Sequence, residues 1–137
     1  MATRPAGQNE GFTLRVRDDI VSAVHHVSMR RKVVSGVPTF KQTLQWIATQ
    51  SGATTLASGI NGISNTDSWT SGNQYTVNLC TDRDGKIRCS SQVQDTDGFD
   101  VDDTKYYEFT ADGLKEALAQ LASDWGSSSL ASAILAL

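Results

Sequence analysis

Polar and apolar residues alternate along residues 74–94 in a pattern that predicts two β-strands joined by a tight turn. Successive side chains of a strand point to opposite faces, so each of these strands has one apolar face and one polar face. The apolar set consists of Tyr75, Val77, Leu79, Thr81, Ile87, Cys89, Ser91 and Val93. The segment is therefore predicted to form a β-hairpin at the centre of a sheet.

The turn decides which residues of the two strands face each other. A two-residue turn at 84–85 would place the two apolar sets on opposite faces of the hairpin. A three-residue loop at 83–85, with Gly85 in the left-handed conformation, pairs Leu79 with Cys89 and keeps both sets on one face. A shift by one residue would expose half of the apolar set, so the three-residue loop is predicted.

The rest of the chain shows shorter patterns. Strict alternation predicts a strand at 12–17, and a short strand that leads directly into a helix is predicted at 104–109. Helical spacing predicts helices from Thr39 to Gly52, at 110–125 and at 128–136. Residues 18–34 fit two structures: the spacing of their apolar residues favours a helix, whereas their β-branched residues suit a strand, and of the two the helix is preferred. Residues 53–73 are predicted to be a loop that tucks Leu56, Ile60 and Ile63 onto the core, and residues 95–103 an acidic loop.

Composition limits the architecture. The chain has 137 residues, of which 39% are hydrophobic and 20% charged, as expected for one folded domain. We predict a flexible arm at 1–10 and a single α+β domain at 11–137. The domain has a small antiparallel sheet of three to five strands around the hairpin 74–94, with the two C-terminal helices covering one face.

The sequence also predicts where the protein is made. It contains no apolar run of the roughly 20 residues that a membrane span needs, and residues 1–11 lack the apolar core of a signal peptide. The predicted hairpin places Cys80 and Cys89 on opposite faces, so they are expected to be free thiols in a reducing compartment. We therefore expect a soluble protein that is synthesised in a cytoplasm and has no membrane partner.

No pattern in the chain indicates catalysis. The acidic residues 95–103 lack the glycine and glutamate positions of an EF-hand, and the adjacent His25 and His26 cannot share one helix face as metal ligands. No P-loop, dinucleotide-binding glycine pattern or nucleophile elbow is present. We predict that the protein is not an enzyme, with no catalytic residue, metal site or cofactor.

The polar face of the hairpin is modestly basic. Lys86 and Arg88 lie on it among short hydrogen-bonding side chains, and the strand at 12–17 would add two arginines if it joined the same sheet. Such a face could hold a phosphate backbone, although an antiparallel sheet often leaves one face simply solvated. The candidate RNA-binding residues are Thr76, Asn78, Lys86, Arg88, Ser90, Arg15 and Arg17.

Residues 74–137 resemble the coat proteins of single-stranded RNA phages. The segments NQYTVNLCT and KIRCSSQV are similar to the paired central strands of that family, and TKYYEFT leads directly into ADGLKEALAQLASDW, a short break and SLASAILAL. The resemblance implies a non-catalytic capsid protein that forms dimers or larger homo-oligomers, binds RNA on the open sheet face and resides in a virion. It also implies an oligomer interface that contains Leu114, Leu118, Leu121, Leu130 and Ile134. The predicted helix at 39–50 departs from the family, which has strands there.

The alternative function belongs to another class. A small protein-binding inhibitor, either phage-encoded or of the immunity type, would use the acidic loop 95–103 and the Ser/Gly/Asn-rich loop 53–73 as its contact surface. Its partner would be a protein target instead of RNA.

Overall fold

A computed structural model describes residues 26–32, 39–68, 74–81, 84–94 and 100–137 of the chain. The described residues form a four-stranded antiparallel sheet and four helices, which confirms the α+β architecture. In chain order the elements are β1 (His26–Lys32), α1 (Phe40–Gln50), α2 (Thr54–Asn61), β2 (Gln74–Thr81), β3 (Ile87–Gln94), β4 (Asp100–Tyr107), α3 (Ala111–Asp124) and α4 (Ser128–Leu135). The predicted arm 1–10 and strand 12–17, which contains Arg15 and Arg17, lie outside the described residues.

The four strands lie side by side in the order in which they occur in the chain. β1 is antiparallel to β2, and Val27 pairs with Leu79. The preference for a helix over residues 18–34 is therefore wrong for residues 26–32. The β-branched and alternating residues of this segment suit a strand. Pairing with β2 favours the strand over the helix.

The hairpin formed by β2 and β3 has the predicted register. Leu79 pairs with Cys89 and Thr81 pairs with Ile87, while Gly85 adopts a positive φ of 76°. A positive φ costs glycine little because it has no Cβ atom. The need to bury both apolar sets together therefore fixes the register, as predicted.

The sheet buries one face only. The apolar side chains of β2 and β3 nearest the turn are almost completely buried, whereas the side chains between them are half-buried or exposed. The buried side chains of the hairpin are Val77, Leu79, Ile87 and Cys89. This face joins α3 in the core, so the opposite face is left without a helical layer among the described residues.

The helix α1 begins and ends where the sequence predicts. Thr39 and Gln42 form a capping box, in which Gln42 N donates to Thr39 Oγ1 and Thr39 N donates to Gln42 Oε1. After the helix, Gly52 adopts a φ of 81°, which stops the helical run.

The prediction of a continuous loop at 53–73 is wrong for α2. Ala53, Leu56, Ala57 and Ile60 are spaced so that they lie on one side of a helix, and Ile60 is completely buried. No side chain caps the first turn of α2, so the usual sequence signal of a helix start is missing. Ile60, together with the partly buried Leu56 and Ile63, contacts the core as predicted.

The first C-terminal helix, α3, packs on the apolar face of the sheet, and α4 packs against α3. α3 starts at Thr110, whose Oγ1 accepts a hydrogen bond from Gly113 N at 3.0 Å. Gly126 separates α3 from α4 with a φ of 102°, and Ser127 caps α4 by accepting from Leu130 N. Both predicted helices are thereby confirmed.

The predicted acidic loop 95–103 is wrong over residues 100–103. These residues form the first half of β4, in which Val101 pairs with Val93 and Asp103 pairs with Ser91. Aspartate is rare in strands, but here the pairing with β3 outweighs that preference. None of the described helices has both the length and the apolarity needed to cross a membrane.

Candidate functional site

The sheet face opposite α3, here named the outer face, collects most of the predicted binding residues. Burial alternates along β3 and β4, so that every second side chain stays accessible. The accessible residues of the outer face are Thr76, Asn78 and Cys80 on β2, Lys86, Arg88, Ser90 and Gln92 on or beside β3, and Thr104, Tyr106 and Glu108 on or beside β4. The predicted Thr76, Asn78, Lys86, Arg88 and Ser90 are thus brought together on one surface.

An arginine and a tyrosine face each other at the centre of this surface. Arg88 on β3 is the register partner of Tyr106 on β4. Both side chains are exposed, and Tyr106 leaves 55% of its surface accessible to solvent. An exposed ring on a sheet can stack on a flat ligand, and a neighbouring guanidinium can contact an anion.

Small polar residues surround that pair. Ser90 lies opposite Asn78 on one side and opposite Thr104 on the other. Two hydroxyl groups and an amide thus lie side by side across three strands, and together they offer both donors and acceptors. Short groups of this kind fix the position of a ligand and add little charge.

The second predicted cation already has an acidic neighbour. Lys86 Nζ lies 2.7 Å from Glu108 Oε1, and both side chains are exposed. An exposed ion pair contributes little to stability, so an incoming anion could displace the carboxylate at small cost. Glu108 therefore competes with any anionic ligand for Lys86.

The strand β1 brings additional basic residues to the sheet. Arg30 pairs with Thr76 and Lys32 pairs with Gln74 in the backbone register. The sequence pattern does not mark Arg30 and Lys32 as candidate RNA-binding residues, because the helix it favours over 18–34 would not belong to the sheet. Arg15 and Arg17, which were selected, lie outside the described residues.

Tyr106 and Thr104 were also missed as candidate site residues. The sequence predicts a strand at 104–109, and its alternation does place Thr104 and Tyr106 on one face. Only the pairing of β3 with β4 shows that this face continues the one that carries Arg88. The alternation within the strand therefore indicates that Thr104 and Tyr106 share a face, but it does not indicate that this face also carries Arg88.

The residues predicted at an oligomer interface belong to the core of a single chain. The side chains of this set are between 0 and 2% exposed, namely Leu114, Leu118, Leu121, Leu130 and Ile134. A contact of these residues with a second chain stays a prediction. The exposed apolar side chains at this end are Leu135 and Leu137, with 52% and 47% of their surface accessible.

Neither cysteine forms a disulfide. Cys80 is half-buried on the outer face, whereas Cys89 is buried in the core, where the loss of solvation raises its pKa to about 12. Their opposite orientations agree with the predicted register. Within the described ranges, no group of three His, Cys, Asp or Glu side chains is arranged to hold a metal ion.

Comparison with models of protein families, with curated proteins and with solved structures finds no match to this chain.

Proposed function

We propose that the protein is a non-catalytic, self-assembling structural protein, similar to RNA-phage coat proteins, that binds RNA on the outer face. The observation that carries the proposal is the exposed pair Arg88 and Tyr106, set among short polar side chains on the sheet face that no described helix covers. The order of hairpin, strand, helix and final helix in residues 74–137 supports the same class of protein.

The composition of the outer face favours single-stranded RNA as its ligand. The Tyr106 ring can stack on an unpaired base, and Arg88 can contact the adjoining phosphate. The hydroxyl and amide groups around Ser90 can bond to a base edge or to a 2′-hydroxyl. A duplex presents few unstacked bases, so the exposed ring would remain unused on it.

The charge of this surface predicts a weak dependence on salt. Lys86 and Arg88 are the cations whose side chains the structure describes on the outer face, and the whole chain has a net charge of −3. Two phosphate contacts with a single strand give a slope of about −1.4 in log K against log salt concentration. Stacking and hydrogen bonds therefore supply much of the affinity that we propose.

The exposed end of α4 supports the self-association part of the proposal. Leu135 and Leu137 remain accessible, and a cavity of about 170 Å³ lies beside Leu137. Exposed leucines next to a cavity offer apolar surface that a second copy of the chain could cover.

Purified protein analysed by size-exclusion chromatography with light scattering and absorbance tests the assembly. We expect dimers or larger particles that carry nucleic acid, recognised by strong absorbance at 260 nm. A monomer of 14.8 kDa without nucleic acid would contradict the proposal.

A double variant tests the RNA surface directly. Lys86→Ala with Arg88→Ala is expected to weaken the binding of single-stranded RNA and to make the salt slope shallower by about 1.4, while the protein stays folded. Lys115→Ala is the control, because it removes a cation from α3 instead of from the outer face. Equal RNA affinity in the double variant and the wild type would exclude this surface as the binding site.

No observation on the described residues favours the alternative of a protein-binding inhibitor. Residues 54–61 of its expected Ser/Gly/Asn loop form a helix, and residues 100–103 of its expected acidic loop form a strand. A nucleic-acid-free monomer in the chromatography experiment would nevertheless direct the search towards a protein target.

A further inference from the structure

A polar cluster lies on the other side of β4, between this strand and the C-terminal end of α3. Lys105 Nζ is 2.6 Å from Asp103 Oδ2 and 3.9 Å from Asp124 Oδ2. Gln120 Nε2 donates to Asp124 Oδ1 at 2.8 Å. One ammonium group therefore lies beside two carboxyl groups that belong to different elements, β4 and α3.

The cluster is partly shielded from solvent. The side chains of Asp103, Lys105 and Asp124 are 33%, 42% and 28% exposed, and they line a small void of about 10 Å³. Screening by water is incomplete there, so interactions between charges are stronger than on an open surface. The other titratable groups that act on the cluster or its neighbours are Cys89 from β3, Tyr107 from β4 and Glu116 from α3.

Two carboxylates and one ammonium leave an excess negative charge. Asp124 is the last residue of α3, and the partial negative charge of a helix C-terminus disfavours an anion there. Burial and the nearby Asp103 raise the pKa of Asp124, whereas the hydrogen bond from Lys105 lowers the pKa of Asp103. These opposite directions favour one proton on the pair of carboxyl groups, held by Asp124 and donated to the Asp103 carboxylate.

We propose that Asp103, Lys105 and Asp124 form a proton-dependent latch that holds β4 to α3 most tightly in acidic solution. There the two carboxyl groups share one proton, and the single ammonium balances the remaining charge. At neutral pH the proton leaves, and the two carboxylates repel each other across the joint between strand and helix. The latch is independent of any ligand of the outer face.

The direction of the effect on stability follows from the two carboxyl groups. Because the pKa of Asp124 is raised in the folded state, its contribution is complete below its unfolded value and is lost as the pH rises through its folded value. Because the pKa of Asp103 is lowered, its contribution is lost as the pH falls through its folded value. The latch is therefore strongest between the two folded values, a range that includes 3.8, the ordinary value of both groups.

The variant Asp124→Asn tests the latch. Its side-chain amide can donate a hydrogen bond to Asp103 at any pH, whereas the Asp124 carboxyl group can do so only when it is protonated. We expect this variant to melt a few degrees above the wild type at about pH 8 and close to the wild type near pH 3.8, the ordinary pKa of both groups. Hydrogen exchange of the amides of 100–107 should show the same pattern, with greater protection than the wild type only at the higher pH. Asp103→Asn should likewise reduce the dependence on pH, since one carboxylate then faces one ammonium.

The control is Asp112→Asn, which removes an exposed carboxylate from the opposite end of α3. It should keep the wild-type difference between the two pH values. If Asp124→Asn and Asp103→Asn also keep that difference, or if the protection of 100–107 in the wild type does not change with pH, the latch does not exist.

Discussion

Arg88 and Tyr106 lie directly opposite each other on neighbouring strands, and both side chains are exposed on the outer face. Directly opposite residues of a ladder have Cβ atoms only about 5 Å apart, so one ligand can touch both. The pair combines a fixed cation with an aromatic surface, which are the two groups that a nucleotide with an unpaired base requires. The proposed RNA interface is centred on this pair.

Tyr106 is expected to contribute to RNA affinity through its ring. Tyr106→Leu removes the stacking surface, which is worth about 1–3 kcal/mol per base, so the affinity for single-stranded RNA should fall by about tenfold or more. Tyr106→Phe keeps the ring and should bind almost as well as the wild type. Fluorescence anisotropy with a labelled single strand measures both variants, and equal loss in both would point to the hydroxyl group instead of stacking.

Glu108 is expected to weaken RNA binding by holding Lys86. Glu108→Gln removes the carboxylate that lies 2.7 Å from Lys86 Nζ, so phosphate no longer competes with Glu108 for this cation. We expect tighter binding and a steeper dependence on salt, measured as the slope of log K against log salt concentration. Glu116→Gln makes the same change in charge on α3, and it should leave the slope unaltered. The same slope in both variants would show that Glu108 acts only through net charge.

Gly113 is expected to tolerate no side chain. A Cβ atom at this position would overlap the backbone oxygen of Glu108, at the turn from β4 into α3. Gly113→Ala should therefore lower the free energy of unfolding by about 1–3 kcal/mol, which urea titration can measure. Gly62→Ala is the matched control, because its Cβ atom would meet its nearest neighbour at 3.5 Å and its φ is −76°. Similar losses in both variants would show that the space at Gly113 is not the cause.

Cys89 is expected to make the protein less stable in alkaline solution. Burial raises the pKa of its thiol from 9.0 to about 12, so the folded state keeps a proton that the unfolded chain loses. The resulting stability is complete below pH 9.0 and is lost as the pH rises towards 12. Between about pH 8 and about pH 10.5 the free energy of unfolding should fall by on the order of 2 kcal/mol through this group.

Cys89→Ala separates this effect from that of other groups. The variant should show a smaller fall in the free energy of unfolding over the same range, with part of the fall remaining because the pKa of Tyr107 is also raised by burial. Cys80→Ala removes the half-buried thiol of the outer face and should behave as the wild type does. An identical alkaline fall in Cys89→Ala and the wild type would contradict the assignment.

Elements with a strong local signal could be predicted from the sequence. The pairing of Leu79 with Cys89 follows from the need to bury two apolar sets together, and α1 is marked by its capping box at Thr39. The helix α2 was missed because Ala53 supplies no capping side chain, so its apolar spacing lacked a start signal. β1 and the first half of β4 were missed because only their pairing with another strand makes them strands.

The candidate site could be predicted only in part, for a related reason. The outer-face residues of the hairpin, including Arg88 and Ser90, belong to one local unit whose faces the alternation defines. Tyr106 belongs to β4, and its position opposite Arg88 depends on a register between strands that the sequence pattern does not specify. The contact of Lys105 with Asp124 likewise requires the packing of α3 on the sheet.

The order of the strands also determines how the chain reaches this structure. From β2 to α4 each element follows its spatial neighbour closely in sequence, so contacts within residues 74–137 close short loops. β1 can pair with β2 only by closing a loop through residues 33–73, and the entropic cost of closure increases with loop length. Although β1 is synthesised first, we therefore expect it to join the sheet last. Until it does, the edge of β2 is an open template to which a neighbouring chain could add a strand.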